Sequence, residues 1–151
     1  MPNIVLKLPR DCFTRNQIDQ IASKVTNAVH TSEGIPDDPK HHLLSWLSVE
    51  EIDAQHLYIG GKSVCPNILP IVVVLFQPEG VLDEERRTQQ AANIDREIRS
   101  VIGPAEQRVQ VSCIMLEVPD GQWSGNGAIL RLPQIASIAG FQHLSHLAEP
   151  A

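Results

Sequence analysis

Apolar positions along the chain change period twice, and in the same way each time. Ile4, Val5, Leu6 and Leu8 form a short apolar run that stops at Pro9; such a run over 4–8 predicts a buried strand. From Thr14 onward the period lengthens. Ile18, Ile21, Ala22, Val25 and Val29 recur at spacings of 3, 4, 7 and 11, which places them on one face of a helix. Thr14-Arg-Asn-Gln17 supplies a capping box at its start, and Gly34 and Pro36 end it. An apolar run over 43–49 predicts a second strand. The same order of signals then returns. A strand is predicted over 71–76, and a helix from Asp83 to about Val101 with Ala91, Ile94, Ile98 and Val101 inward. A return strand follows over 109–118.

The recurrence has a constant offset of 69 positions, from Pro9 to Pro78, Thr14 to Asp83, Ala22 to Ala91, Val25 to Ile94, Val29 to Ile98 and Gly34 to Gly103. Each unit reads β-α-β, whose two strands are parallel and joined by a right-handed crossover. Two such units side by side predict an α+β fold: a four-stranded mixed sheet with two helices on one face. The expected organisation is a single domain over 1–151, with β-α-β units at 2–61 and 69–132. Residues 57–61 read as a hairpin-like arm, with turn residues Pro66-Asn67 behind it. Ile135, Ile138, Leu144 and Leu147 predict a tail helix over 134–148. Leu43, Leu44, Trp46, Leu47 and Val49 leave little polar surface for the second sheet face, so its burial against partner subunits is expected.

Composition narrows the function classes. With 151 residues and 42% apolar side chains, the chain can bury a core without a disulfide or metal staple. No apolar run reaches the roughly 18–20 residues of a membrane span. The start lacks the basic and apolar regions of a secretory signal, so a cytoplasmic setting is expected. Cys12, Cys65 and Cys113 are far apart and form no CxxC pair, which indicates neither a disulfide framework nor a zinc site; small, half-buried side chains are expected. The net charge is −6 and no basic stretch carries interleaved aromatics, which argues against nucleic acid as a partner. A few local cations can still hold an anionic small molecule. Off the helices these are Lys7, Arg10, Lys40, Lys62, Arg108 and Arg131.

The chemistry-bearing residue is Pro2. A small second residue normally permits removal of the initiator Met, leaving a secondary amine at the head of a core strand. In an apolar, electropositive pocket its ammonium form is disfavoured. The free amine can then abstract a proton α to a carbonyl or form an imine.

Pro2-Asn-Ile-Val-Leu-Lys-Leu-Pro9-Arg10, the two β-α-β units and Leu57-Tyr-Ile-Gly-Gly61 resemble the tautomerase superfamily. That group includes 4-oxalocrotonate tautomerase, macrophage migration inhibitory factor, malonate semialdehyde decarboxylase and the chloroacrylic acid dehalogenases. Asp120-Gly-Gln-Trp123-Ser-Gly-Asn-Gly127 resembles the turn region of the decarboxylase and cytokine-like members. The resemblance spans roughly residues 2–132. It implies a homotrimer with a pseudo-hexameric barrel core, and an isomerase that needs no cofactor. Only the first unit brings a proline, because its repeat partner is Ile71. The resemblance also implies a small carboxylate substrate held by cations. Arg10 is the first candidate, with Lys7, His41 and Arg131 behind it. His41 and His42 are expected to begin the second strand. Aligned without gaps, the dehalogenase's paired arginines fall on Pro78 and Val81, and the decarboxylase's on Gln77 and Glu79. The dehalogenase's helix-end His falls on Val29, one residue from His30. These departures favour keto–enol conversion of a 2-oxo acid over hydration, dehalogenation or decarboxylation of a three-carbon acid. A non-catalytic trimeric binding protein that has lost its site stays open as an alternative, decided by whether Met1 is removed.

Two further motifs carry less. Gly61-Lys62-Ser63 resembles the end of a phosphate-binding loop, but His56 stands where that loop needs Gly. His143 and His146 have helical spacing without a third ligand.

Overall fold

The computed structural model describes residues 2–63 and 67–147. Met1, Cys65, Pro66 and the last residue of the expected tail helix lie outside them. Among the described residues eight strands form: β1 (Asn3–Pro9), β2 (Trp46–Ile52), β3 (Tyr58–Ile59), β4 (Lys62–Ser63), β5 (Ile68–Pro78), β6 (Arg108–Val118), β7 (Trp123–Gly125) and β8 (Ala128–Leu130). The α-helices are α1 (Arg15–Glu33), α2 (Pro39–His42), α3 (Glu84–Ile102) and α4 (Leu132–Ala139).

The main sheet is four-stranded and mixed, in the order β2-β1-β5-β6. β1 runs parallel to β2, β5 parallel to β6, and β1 antiparallel to β5. The two long helices obey the 69-residue offset at both ends. Their caps follow it too: the Thr14 hydroxyl accepts from Gln17 N–H in a full capping box, and the Asp83 side chain accepts from Arg86 N–H. Ile4, Leu6, Leu8, Ile71, Val73 and Leu75 on the sheet pack against Ile21, Val25, Val29, Ile94 and Ile98. Each is buried, a gain of roughly 1.5–3 kcal/mol per large side chain. Among the described residues no helix packs on the opposite sheet face. There Trp46, Ile114 and Leu116 remain 71, 44 and 42% exposed.

The repeat breaks in the first crossover. Ile4 faces Leu47, 43 positions on, whereas Val73 faces Cys113, 40 positions on. The longer connection winds into α2, and this corrects the expected second strand. β2 starts at Trp46 rather than at 43, and His41 and His42 lie in a helical turn instead of opening the strand. The cause is local: Asp38 caps Lys40 N–H at 2.9 Å, and Pro39 at the first helical position has the φ a helix needs.

The tail departs from expectation as well. α4 ends at Gly140, whose φ of +66° is left-handed, so the apolar spacing continues only as tight turns over Gln142–Leu147. These turns build a second apolar cluster. Ile35, Val81, Leu82, Ile135, Ala136, Ala139 and Phe141 pack there with Leu44 and Trp123 at its edge. The arm is a two-strand hairpin, β3-β4, turning at Gly60 and Gly61. Cys12 is exposed, whereas Cys113 is half-buried, and burial pushes its thiol up to about 11. No helix among the described residues is long and apolar enough to cross a membrane.

Candidate active site around Pro2

β1 begins where β2 begins and β5 ends. Trp46 N–H donates to the Pro2 carbonyl at 3.2 Å, and Asn3 lies opposite both Trp46 and Phe76. One residue further out, Ser45, Pro2 and Gln77 therefore stand side by side, on strands spaced about 4.8 Å apart. Strand alternation puts all three on the helix-facing side, in line with Leu47, Ile4 and Leu75. Pro2 is buried.

The last turn of α1 overhangs this row and adds a polar pair on each side. His30 Nε2 lies 2.5 Å from Ser45 Oγ. Gln77 Nε2 donates to Glu33 Oε1 at 2.6 Å. His30, Glu33 and Gln77 are 5, 0 and 2% exposed. Burial pushes the Glu33 carboxyl above its ordinary range, and the bond from Gln77 opposes that in part. Burial also holds His30 down to about 4, helped by His42, whose ring centroid is 4.9 Å away. His30 is therefore neutral at physiological pH, flanked by the His42–Asp37 pair at 3.2 Å.

The tail closes the same end. Gln142 N–H donates to the Gly34 carbonyl at 3.0 Å, and His143 Nε2 sits 2.7 Å from the Val81 carbonyl. Gly34 has a φ of +67°, and a Cβ there would lie 2.9 Å from His143 Nδ1, so both backbone and space require glycine. Two cavities lie near this end of the fold, neither lined by a member of the row. One of about 340 Å³ is lined by Asn3, Leu43, Leu44, Trp46, Trp123 and Asn126. The other, about 230 Å³, is lined by Asn27, His30, Thr31, Ile35, Asp37 and His42.

The residues expected at the site divide between the two ends of β1. His41 and Arg131 lie at the Pro2 end. His41 Nε2 is 3.0 Å from where a Cβ on Gly140 would stand, so the ring packs on the tail. Arg131 pairs with Asp120 at 3.1 Å, and Asp120 also accepts from Leu132 N–H, which braces the start of α4. Lys7 and Arg10 lie toward the far end, paired with Glu50 at 3.0 Å and Asp53 at 2.8 Å. A strand rises about 3.3 Å per residue, so Arg10 is about 26 Å from Pro2 within one chain. His30, Ser45, Glu33 and Gln77 were not among the expected binding residues. Their signal was present: Glu33 continues the apolar stripe four positions after Val29, and Gln77 continues the buried alternation of Val73 and Leu75.

Solved structures superpose on this architecture over most of their length. A fused 4-OT, wild type, described as an asymmetric trimer, aligns with a TM-score of 0.68 at 15% identity over 84% of this chain and 94% of its own. Pt0534, inactivated by 2-oxo-3-pentynoate, aligns with a TM-score of 0.67 at 20% identity over 84 and 94%. A malonate semialdehyde decarboxylase inhibited by 3-bromopropiolate aligns with a TM-score of 0.63 at 21% identity over 83 and 90%. The chain has the tautomerase-superfamily fold. No family profile and no curated protein matches it. Within this tautomerase fold, Pro2 heads an inner strand of the sheet, between β2 and β5.

His30 gives a stability prediction. Its folded pKa lies below the ordinary 6.5. Between those values the unfolded chain binds a proton that the folded chain refuses, so stability is full above pH 6.5 and falls as pH drops toward about 4. Glu33, raised in the fold, works the other way: its contribution is full at low pH and is lost as pH rises through its folded value. Urea midpoints at pH 7 and pH 5 should therefore differ less in His30→Asn than in wild type. An equal difference in the two proteins would contradict the assignment.

Proposed function

We propose that the chain is a tautomerase-superfamily enzyme, an isomerase in which the Pro2 amine, freed by removal of Met1, is the general base in keto–enol conversion of a 2-oxo acid. The supporting observation is the placement of Pro2: buried, at the head of an inner strand, between the half-buried His30–Ser45 pair and the buried Glu33–Gln77 pair. The strand holds the amine in place, and burial disfavours its ammonium form. The amine takes the α-proton, the C–H electron pair becomes the enol double bond, and the carbonyl π pair moves to oxygen. Return of the proton to that oxygen regenerates the amine. An unsaturated 2-oxo acid inactivates a structural neighbour, which supports a substrate of the same class. No step in this reaction calls for a cofactor.

The candidate binding residues divide by position. Arg131 and His41 lie at the Pro2 end of their own chain and would act there. Arg10 and Lys7 reach a Pro2 site only from a neighbouring subunit, where they would hold the substrate carboxylate. The uncovered sheet face with Trp46, Ile114 and Leu116 is the surface that a homotrimer would bury, and one neighbour is described as a trimer. The test is intact mass together with ketonisation of an enol 2-oxo acid. The expected result is a mass lacking Met1 and turnover of the enol. Retention of Met1 would place the free amine on the wrong residue and overturn the reading.

A further inference from the structure

Resting on Pro2 as the base, we propose that the Ser45 hydroxyl is a second catalytic group, donating a hydrogen bond to the substrate's enolate oxygen, with His30 as the positioning residue that aims it. Ser45 stands next to Pro2 in the row across the sheet, on the same helix-facing side, with its Oγ 2.5 Å from His30 Nε2. It is half-buried, whereas His30 is 5% exposed with its ring against that of His42.

The direction of the hydrogen bond follows from the other ring nitrogen. His30 Nδ1 is buried and has no hydrogen-bond partner among the described residues. A buried N–H without an acceptor is rarer than an under-used acceptor. The neutral imidazole therefore carries its proton on Nε2, and Nε2–H donates to Ser45 Oγ over 2.5 Å. A hydroxyl has one hydrogen and two lone pairs. With one lone pair engaged by His30, the Ser45 hydrogen is free to point at an acceptor. Negative charge grows on the substrate oxygen as Pro2 removes the α-proton, and a donor fixed beforehand stabilises that charge more than mobile water does. Ser45 ends the cycle with its own proton, so the balance of the Pro2 reaction is unchanged.

The test compares ketonisation by wild type, Pro2→Ala, Ser45→Ala and Ser45→Thr, with the His30 ring labelled with nitrogen-15. Ser45→Ala should lose about 10²-fold in kcat, with KM changed by no more than about two-fold. Ser45→Thr keeps the hydroxyl and should recover most of the loss. The nitrogen shifts at pH 7 should show the proton on Nε2. If the Ala variant does not fold, Ser45→Cys, a poor donor of similar size, should show the same loss. Wild-type kcat in Ser45→Ala, alongside an inactive Pro2→Ala, would overturn the role of Ser45 and leave Pro2 as base. A proton on Nδ1 would also overturn it. Equal rates in wild type and Pro2→Ala would overturn both readings.

Discussion

Replacing Pro2 with alanine is expected to lower kcat for ketonisation by about 10²–10⁴-fold, the range general-base catalysis contributes. The substitution is gentle on the fold. The contact that pins this end of β1 is the Trp46 N–H to the Pro2 carbonyl, and alanine keeps that carbonyl. Alanine also still permits loss of Met1, so a free amine remains. That amine is primary and less basic, and it lacks the ring that fixes φ near −65°. The loss should therefore fall on kcat, while KM stays near the wild-type value, because the residues proposed to hold the carboxylate are untouched. Circular dichroism and the thermal midpoint should match wild type. Equal kcat in the two proteins would mean that the carbon-bound proton goes to another base.

Phe141→Ala carries the largest expected effect on stability. Phe141 is 1% exposed, in the second apolar cluster with Ile35, Val81 and Leu82. Truncating a buried phenylalanine typically costs about 3–5 kcal/mol, partly transfer and partly the cavity left behind. The damage should not be uniform. Phe141 N–H bonds the Ala136 carbonyl, and the next residue, Gln142, bonds the Gly34 carbonyl. Loosening that corner frees residues 35–45, which carry His41 and Ser45. Amide exchange should speed up there and in α4 more than in α3, whose Ile94 and Ile98 belong to the other cluster. A loss under about 1 kcal/mol, or uniform exchange across the chain, would contradict a tail that braces the site.

The repeated frame was legible because its signals are local. Thr14 and Asp83 act as caps within one turn of each long helix, and the apolar stripes read directly as buried faces. α2 escaped because Leu43 and Leu44 extend the apolar run of β2, while the Asp38–Pro39 start that overrides it is only a short polar signal. The tail helix was overextended because Leu144 and Leu147 keep helical spacing past a glycine that turns the chain. Of the candidate site, Pro2, His41 and Arg131 could be named from the sequence. Glu33 and Gln77 occupy positions that the hydrophobic period reserves for apolar side chains, and their pairing depends on β1 and β5 being antiparallel neighbours. Arg10 looked close to Pro2 because eight residues separate them in sequence. On an extended strand those eight residues are the length of the sheet.

The central claim is that the Pro2 nitrogen is a free, uncharged amine inside the site. Covalent labelling tests it most directly. An acetylenic 2-oxo acid such as 2-oxo-3-pentynoate is an electrophile that a neutral amine attacks and an ammonium does not. After incubation near pH 7 and proteolysis, a single adduct is predicted on the peptide that begins at Pro2, formed in step with loss of ketonisation activity. An unmodified Pro2 peptide in inactivated protein, or label carried on Cys12 or another side chain instead, would contradict it.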